Sequence, residues 1–205
     1  MDLNIEQKRK YLKSVYQLRG KRIILASGSP RRIEILRSIG LQFESYPAEV
    51  EESFSNNDDV LVSVRQIAHS KAAWVWKRTK ADLVVAADTV VIQGKQIFLK
   101  PKDENDAYQI LKSLSGKSHQ VLTGFCMMTQ QHKIEEFEST TVHFYSLSDD
   151  EINAYIQSGE PLDKAGAYGI QGLAALFVKR IEGCYFNVTG FPLGKFFECL
   201  NRIIY

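Results

Sequence analysis

Two adjacent arginines, Arg31 and Arg32, follow the stretch Ser27-Gly28-Ser29-Pro30. The pattern reads as a helix N-terminus, with Ser29 at the cap position and Pro30 in the first turn. A helix start carries partial positive charge and favours Asp or Glu there, so two arginines oppose helix stability. One explanation is a phosphate cradle, in which backbone N–H groups, the helix dipole and two guanidinium forks converge on an anion. The other is a solvent-facing pair held by Glu34 or Glu44, and local spacing allows both.

Three more charged residues break a local rule. Asp88 interrupts the apolar run LVVAADTVVI, where a buried carboxylate is costly unless paired or bound to a metal; an Asp at a strand end accepting local backbone hydrogen bonds is the alternative. Lys71 falls on the same helical stripe as Val60, Val64, Ala68 and Val75, where a snorkelling lysine or one aimed at an anion would fit. Lys100 precedes Pro101; a hairpin turning at Gly94-Lys95 would bring it within one residue of facing Asp88. A cation there could hold the carboxylate ionised or bind phosphate, and an exposed strand-end lysine is the alternative. Glu49, Glu51 and Glu52 close a strand-like segment and are either solvated or metal oxygen ligands. In DKAGAYGIQG, small residues permit close backbone approach to a ligand, and Gln171 offers donor and acceptor for a base edge; a plain flexible loop is the alternative. Arginines, lysines, an isolated carboxylate and acidic residues together suit metal-dependent hydrolysis of a polyphosphate. No Ser-His-Asp or Cys-His set and no Walker A pattern is apparent.

The elements expected to position these residues alternate. A strand at 23–26 leads to a helix at 30–39 ended by Gly40. LQFESYPAEV reads as a strand, DDVLVSVRQIAHSKAAWVWKRT as a long helix, and LVVAADTVVI with QIFLKP as a hairpin. DENDAYQILKSLSG is a helix closing at Gly116, and HQVLTGFCMMTQQ and IEEFESTTVHFYSL are antiparallel strands. Ser148 and Glu151 form a capping box opening DDEINAYIQSG. After the glycine-rich loop come two strands, ALFVKRIEG and YFNVTG, and a closing helix, PLGKFFECLNRII. Strands joined by both helices and hairpins predict an α/β fold with a mixed twisted sheet and flanking helices.

At 205 residues and net charge +2, the chain suits one domain and argues against bulk electrostatic binding of nucleic acid or membrane. No apolar run approaches the roughly 20 residues of a membrane-spanning helix, so a soluble, cytoplasmic protein is expected. Residues 1–22 read as a basic, helical N-terminal extension, with too many acids for a transit peptide and no apolar core for a secretory signal. Cys126, Cys184 and Cys199 read as reduced core or interface residues, and the four histidines show no metal-ligand spacing with them.

The motifs ASGSPRRIEIL, AHSKAAW, AADTVV, LKPKD, LSGKSHQVLTG and EPLDKAGAYGIQG resemble, in order and spacing, the Maf family of nucleotide pyrophosphatases. The resemblance covers residues 23–205. It implies a fold akin to the inosine triphosphatase group, with two lobes around a cleft. It also implies hydrolysis of a nucleoside triphosphate to monophosphate and pyrophosphate with a divalent metal, Mg²⁺ or Mn²⁺. Residue by residue, Asp88 matches the proton acceptor, and Ser29, Arg31, Arg32, Glu52, Lys71 and Lys100 match phosphate- and metal-handling positions, Glu52 and Asp88 standing as the metal ligands. SPRR, DT and GIQG resemble the branch acting on dTTP and UTP, with specificity positions at Arg32, Thr89 and Gln171; the tryptophan of the 7-methyl-GTP branch is absent. The partner expected is a small nucleotide, with no stable nucleic-acid partner and room for a homodimer. The competing readings are a non-catalytic nucleotide- or nucleic-acid-binding regulator of cell division and an inosine/xanthosine triphosphatase.

Overall fold

The computed structural model describes residues 15–54 and 59–204, so most of the expected N-terminal extension lies outside the described residues. The chain forms two compact units. One takes the residues through Asp88, Gly124–Phe137 and Phe191 onward; the other takes Thr89–Thr123 and Glu138–Gly190. A seven-stranded mixed sheet has the order β2-β1-β3-β5-β6-β7, with β4 paired to β3. The strands are β1 (Ile23–Leu25), β2 (Glu44–Ser45), β3 (Leu83–Gln93), β4 (Gln96–Phe98), β5 (Ser118–Met128), β6 (Lys133–Phe144) and β7 (Val178–Glu182). β1 runs parallel to β2 and β3, whereas β3–β4 and β6–β7 are antiparallel.

In the first unit the apolar runs of β1 and β3 are covered on both faces, which is why they lack polar alternation. Ile23, Leu25, Leu83, Val85 and Ala87 pack with Ile35 and Leu36 of helix α1 (Pro30–Ser38) and with Phe196 and Leu200 of the last helix. Ile24, Ala26, Val84 and Ala86 pack against Ala68, Ala72 and Val75 of helix α2 (Val60–Trp76). Side chains alternate along a strand, so Asp88 continues the Val84–Ala86 row toward α2. A Cβ on Gly124 would stand 2.6 Å from the Val64 carbonyl oxygen, so glycine lets β5 pass close to α2.

Helix ends follow the expected chemistry. Asp59 caps α2 by accepting from the Leu61 N–H at 2.9 Å. After α1, Gly40 at φ 78° sends its N–H to Arg37 while the Leu41 N–H reaches the Leu36 carbonyl, a Schellman closure. In the second unit, Asp103 caps α3 (Glu104–Leu114), and Ser148 with Glu151 forms the predicted capping box of α4 (Asp149–Gln157). The core there joins Val91, Phe98, Leu111, Leu114, Val142, Ile152 and an aromatic group of Phe144, Tyr155, Tyr168 and Phe177.

Three expected strands are corrected. LQFESYPAEV supplies only the two-residue β2, exposed at both positions and followed by Pro47, which cannot donate to a ladder. YFNVTG is a short helix, α5 (Tyr185–Val188), rather than a strand. Buried Asn187 donates to the Val121 carbonyl at 2.9 Å and to Thr140 Oγ1 at 3.0 Å. The Cys184 N–H also donates to Thr140 Oγ1, at 3.1 Å. These anchors override the strand preference of Tyr, Phe and Val. ALFVKRIEG contributes β7 only from Val178, its first three residues closing a 3-10 turn over Leu173–Phe177. The last helix, α6, spans Leu193–Ile204 as expected. Among the described residues no helix is long and apolar enough to cross a membrane. All three cysteines are free; Cys126 and Cys199 are buried, and burial pushes the Cys126 thiol up to about 12.

Candidate functional site

The arginine pair sits where β1 gives way to α1. Ser29 makes no side-chain cap bond, so the predicted cap is present in backbone position only. The bond instead comes from Ser27, whose buried hydroxyl oxygen accepts from the Ser29 N–H at 3.2 Å and from Arg32 Nη1 at 3.3 Å. Ser45 Oγ in turn donates to the Ser27 carbonyl at 2.7 Å. Sequence reasoning misses Ser27; its signal is a short hydroxyl side chain immediately before a Gly-Ser turn leading to the arginines. Glu44, one suggested surface partner for the arginines, is engaged bidentately by Arg22 at 2.9 Å. Arg32 is half-buried, and burial presses its pKa down, opposed by attraction to Asp88 and Glu52 and reinforced by repulsion from Arg31. Arg32 therefore lies within electrostatic reach of both carboxylates.

Those carboxylates meet on one ammonium group. Lys71 is only 7% exposed and Asp88 5%, and Lys71 Nζ stands 2.6 Å from Asp88 Oδ1. The same Nζ stands 2.6 Å from Glu52 Oε1, whose side chain is 48% exposed. Asp88 belongs to the row of β3 that faces α2, and Lys71 to the stripe of α2 that faces β3, so the pairing follows from the two periodicities. The misfit Lys71 and the misfit Asp88 thus explain each other, and Glu52 approaches from the more exposed side.

The second unit carries Thr89, Lys100 and Gln171. Thr89 points to the strand face opposite Asp88. Its hydroxyl lies 3.0 Å from Thr123 Oγ1 and donates to the Gly190 carbonyl at 3.5 Å. The β3–β4 register pairs Val91 with Phe98, and its continuation would set Lys100 opposite Thr89, but the ladder stops at Phe98. Lys100 lies beyond it, exposed. Gln171 is exposed on a loop that is more structured than a flexible linker, built from 3-10 turns over Glu160–Asp163, Ala165–Ala167 and Leu173–Phe177. Gly166, at φ 72°, packs where a Cβ would meet the Val91 side chain at 2.7 Å.

Beneath this loop His119, 2% exposed, shares a 2.8 Å hydrogen bond with Tyr168 and packs edge-on against Phe144. Burial lowers its pKa from 6.5 to about 4. The unfolded chain therefore binds more protons between those values, so stability is complete above about pH 6.5 and falls as pH drops toward 4. At about 1.4 kcal/mol per pH unit, the full loss is about 3 kcal/mol. Urea midpoints measured between pH 6.5 and 5 are expected to fall in the wild type and to flatten in His119→Phe.

Against this geometry, the family model described as Maf-like protein matches residues 22–203. The chain belongs to the Maf family. A relative from Syntrophomonas wolfei, named dTTP/UTP pyrophosphatase, is 45% identical over 87% of this chain and 95% of its own length. One of the same name from Aquifex aeolicus is 45% identical over 89% of this chain and 95% of its own. Among solved structures, the Ham1 protein of Staphylococcus aureus aligns at 14% identity and a TM-score of 0.47, covering 89% of this chain and 100% of that one.

In this Maf-like protein, the donors beside Lys71 suit a hard divalent cation. Glu52 and Asp88 offer carboxylate oxygens that approach a common point, the Lys71 ammonium. No cluster of three or more His, Cys, Asp or Glu groups is present among the described residues. A Mg²⁺-type site often takes only one or two carboxylates and completes its shell with water and substrate phosphate. The residues present fit that pattern and do not fit a closed structural metal centre.

Proposed function

We propose that this Maf-like protein is a nucleoside triphosphate pyrophosphatase that hydrolyses dTTP and UTP to the monophosphate and pyrophosphate. The observation that carries the reading is the Lys71 ammonium, 2.6 Å from both Asp88 and Glu52, with Arg32 attracted electrostatically by the two carboxylates. Buried charge of this density opposes stability, so its presence calls for a use. A triphosphate supplies one, because its oxygens match guanidinium forks, an ammonium and helix N–H groups.

Asp88 accepts a proton from the attacking water as its oxygen bonds to the α-phosphorus. The bond from that phosphorus to the α–β bridging oxygen breaks, and pyrophosphate leaves. Glu52 and Asp88 are the groups that would hold Mg²⁺ or Mn²⁺, which when bound neutralises charge on the phosphates. Lys71 orients Asp88, Ser27 fixes the Arg32 guanidinium, and Ser29 with Arg31 presents the start of α1 to the phosphate chain. Lys100, Thr89 and Gln171 are the further substrate contacts that the motifs LKPKD, AADTVV and GIQG supply, Gln171 meeting the pyrimidine edge. The unit of function is proposed to be the region from residue 23 onward.

The test is pyrophosphate release from dTTP, UTP, CTP, ITP and GTP with Mg²⁺ or Mn²⁺. Preference for dTTP and UTP is expected. Tight binding without turnover would replace the reading with a nucleotide-binding regulator, and preference for ITP with an inosine triphosphatase. The arginines that weaken the start of α1 are expected to be stabilised by substrate. A non-hydrolysable UTP analogue should therefore raise the melting temperature of the wild type clearly and that of Arg31→Ala or Arg32→Ala much less. An equal rise in all three would return the pair to a surface role.

A further inference from the structure

Gln171 is exposed on a loop, where a side chain of its kind would ordinarily sample many positions. Its backbone is nevertheless fixed on both sides. The Gly172 N–H bonds the Gly169 carbonyl at 3.1 Å, closing a turn with Gln171 at its third position. The next residue, Leu173, donates its N–H to Glu160 Oε2 at 3.0 Å. Glu160 Oε1 accepts from the Tyr155 hydroxyl at 3.1 Å, and Tyr155 is itself buried in the aromatic core of the second unit.

The glycines around Gln171 have a use in this contact. A Cβ on Gly172 would lie 2.1 Å from Glu160 Oε1, and one on Gly169 would lie 2.6 Å from the Lys164 side chain. Lys164 Nζ donates to the Glu160 carbonyl and to Asp163 Oδ1, at 2.5 and 2.7 Å, which secures the start of the loop. The Glu160 carboxylate is thus packed into the turn, touching the residue on the C-terminal side of Gln171 and tying it to a core tyrosine.

We propose that Glu160 is a positioning residue for base selection: it locks the Gly169–Gly172 turn so that Gln171 is presented to the pyrimidine edge in one orientation. This rests on the reading of Gln171 given above. Glu160 touches neither substrate nor metal in this role, and the phosphate-handling residues of the first unit act without it. Loss of the lock therefore degrades discrimination between bases more than it slows hydrolysis.

The ratio of kcat/KM for UTP over CTP reads the effect, because the two bases differ at the edge an amide side chain distinguishes. Glu160→Ala is expected to lower the ratio about tenfold, the scale of one hydrogen bond lost from recognition. It should approach the ratio of Gln171→Ala, with kcat/KM for CTP changed by less than about threefold. Glu160→Gln keeps an acceptor for the Leu173 N–H and is expected to retain most of the ratio. Leu173→Pro removes that N–H and sets the ring Cδ against Glu160 Oε2, at the first position of a 3-10 turn, which tolerates proline, while the leucine side chain it replaces is exposed; it should behave like Glu160→Ala and decides the matter if that variant does not fold. A wild-type ratio in both Glu160→Ala and Leu173→Pro overturns the proposal, as does a loss in Glu160→Gln equal to that in the alanine variant. A wild-type ratio in Gln171→Ala itself removes the base-reading role of that residue, and the proposal falls with it for a distinguishable reason.

Discussion

Asp88→Asn is expected to keep the fold and to lose about 10²–10⁴-fold in kcat on UTP, the usual contribution of a positioned general base. Asparagine has nearly the shape of aspartate, and its amide oxygen still accepts from Lys71 Nζ, which now stands 2.6 Å from Asp88 Oδ1. The neutral amide cannot take a proton from water, and it offers a cation a weaker ligand. The melting temperature should fall only modestly, because Lys71 loses one carboxylate charge but keeps Glu52 at 2.6 Å, and the row Val84–Ala86 and its packing on α2 are untouched. Single-turnover assays separate chemistry from binding: the rate of the bound nucleotide should collapse while nucleotide affinity changes much less. Wild-type single-turnover rates in the variant would take Asp88 out of the reaction and leave it as a counter-ion of Lys71.

Half of the Asp88–Lys71 pairing is legible in the amino-acid sequence. An apolar stripe interrupted by a lysine and an apolar strand interrupted by an aspartate each violate a burial rule, and one violation resolves the other. Sequence alone does not join them, because nothing local states which face of the strand meets which helix. Hairpin spacing favours Lys100 as the neighbour, whereas the partner observed on Asp88 is Lys71, 17 residues away in the chain. Ser27 escapes notice because a serine ahead of a glycine turn is commonplace, and only the fold reveals Arg32 reaching back to within 3.3 Å of its hydroxyl. YFNVTG departs from expectation for the same reason: its strand propensity is real, but Asn187 binds Val121 and Thr140, partners 66 and 47 residues away. Patterns with a period announce themselves in sequence; single polar anchors over long separations do not.

Lys71→Met is expected to destabilise the protein by about 3 kcal/mol and to abolish turnover. Removing one partner of a buried ion pair costs about 3–5 kcal/mol because the remaining charge is left without compensation. Arg32 still attracts Asp88, which places the effect toward the lower end of that range. Glu52 adds little to it, because its side chain is 48% exposed and water replaces the lost ammonium. The double variant Lys71→Met/Asp88→Leu removes both buried charges and keeps the volume between β3 and α2 filled. Such replacements are commonly neutral or stabilising, so its urea midpoint should return to the wild-type value or exceed it, with no pyrophosphate released. A double variant as unstable as Lys71→Met would mean that the pair holds α2 on the sheet. Recovery of stability without activity would instead show that this buried charge is retained for the reaction, at a cost that packing elsewhere in the first unit offsets.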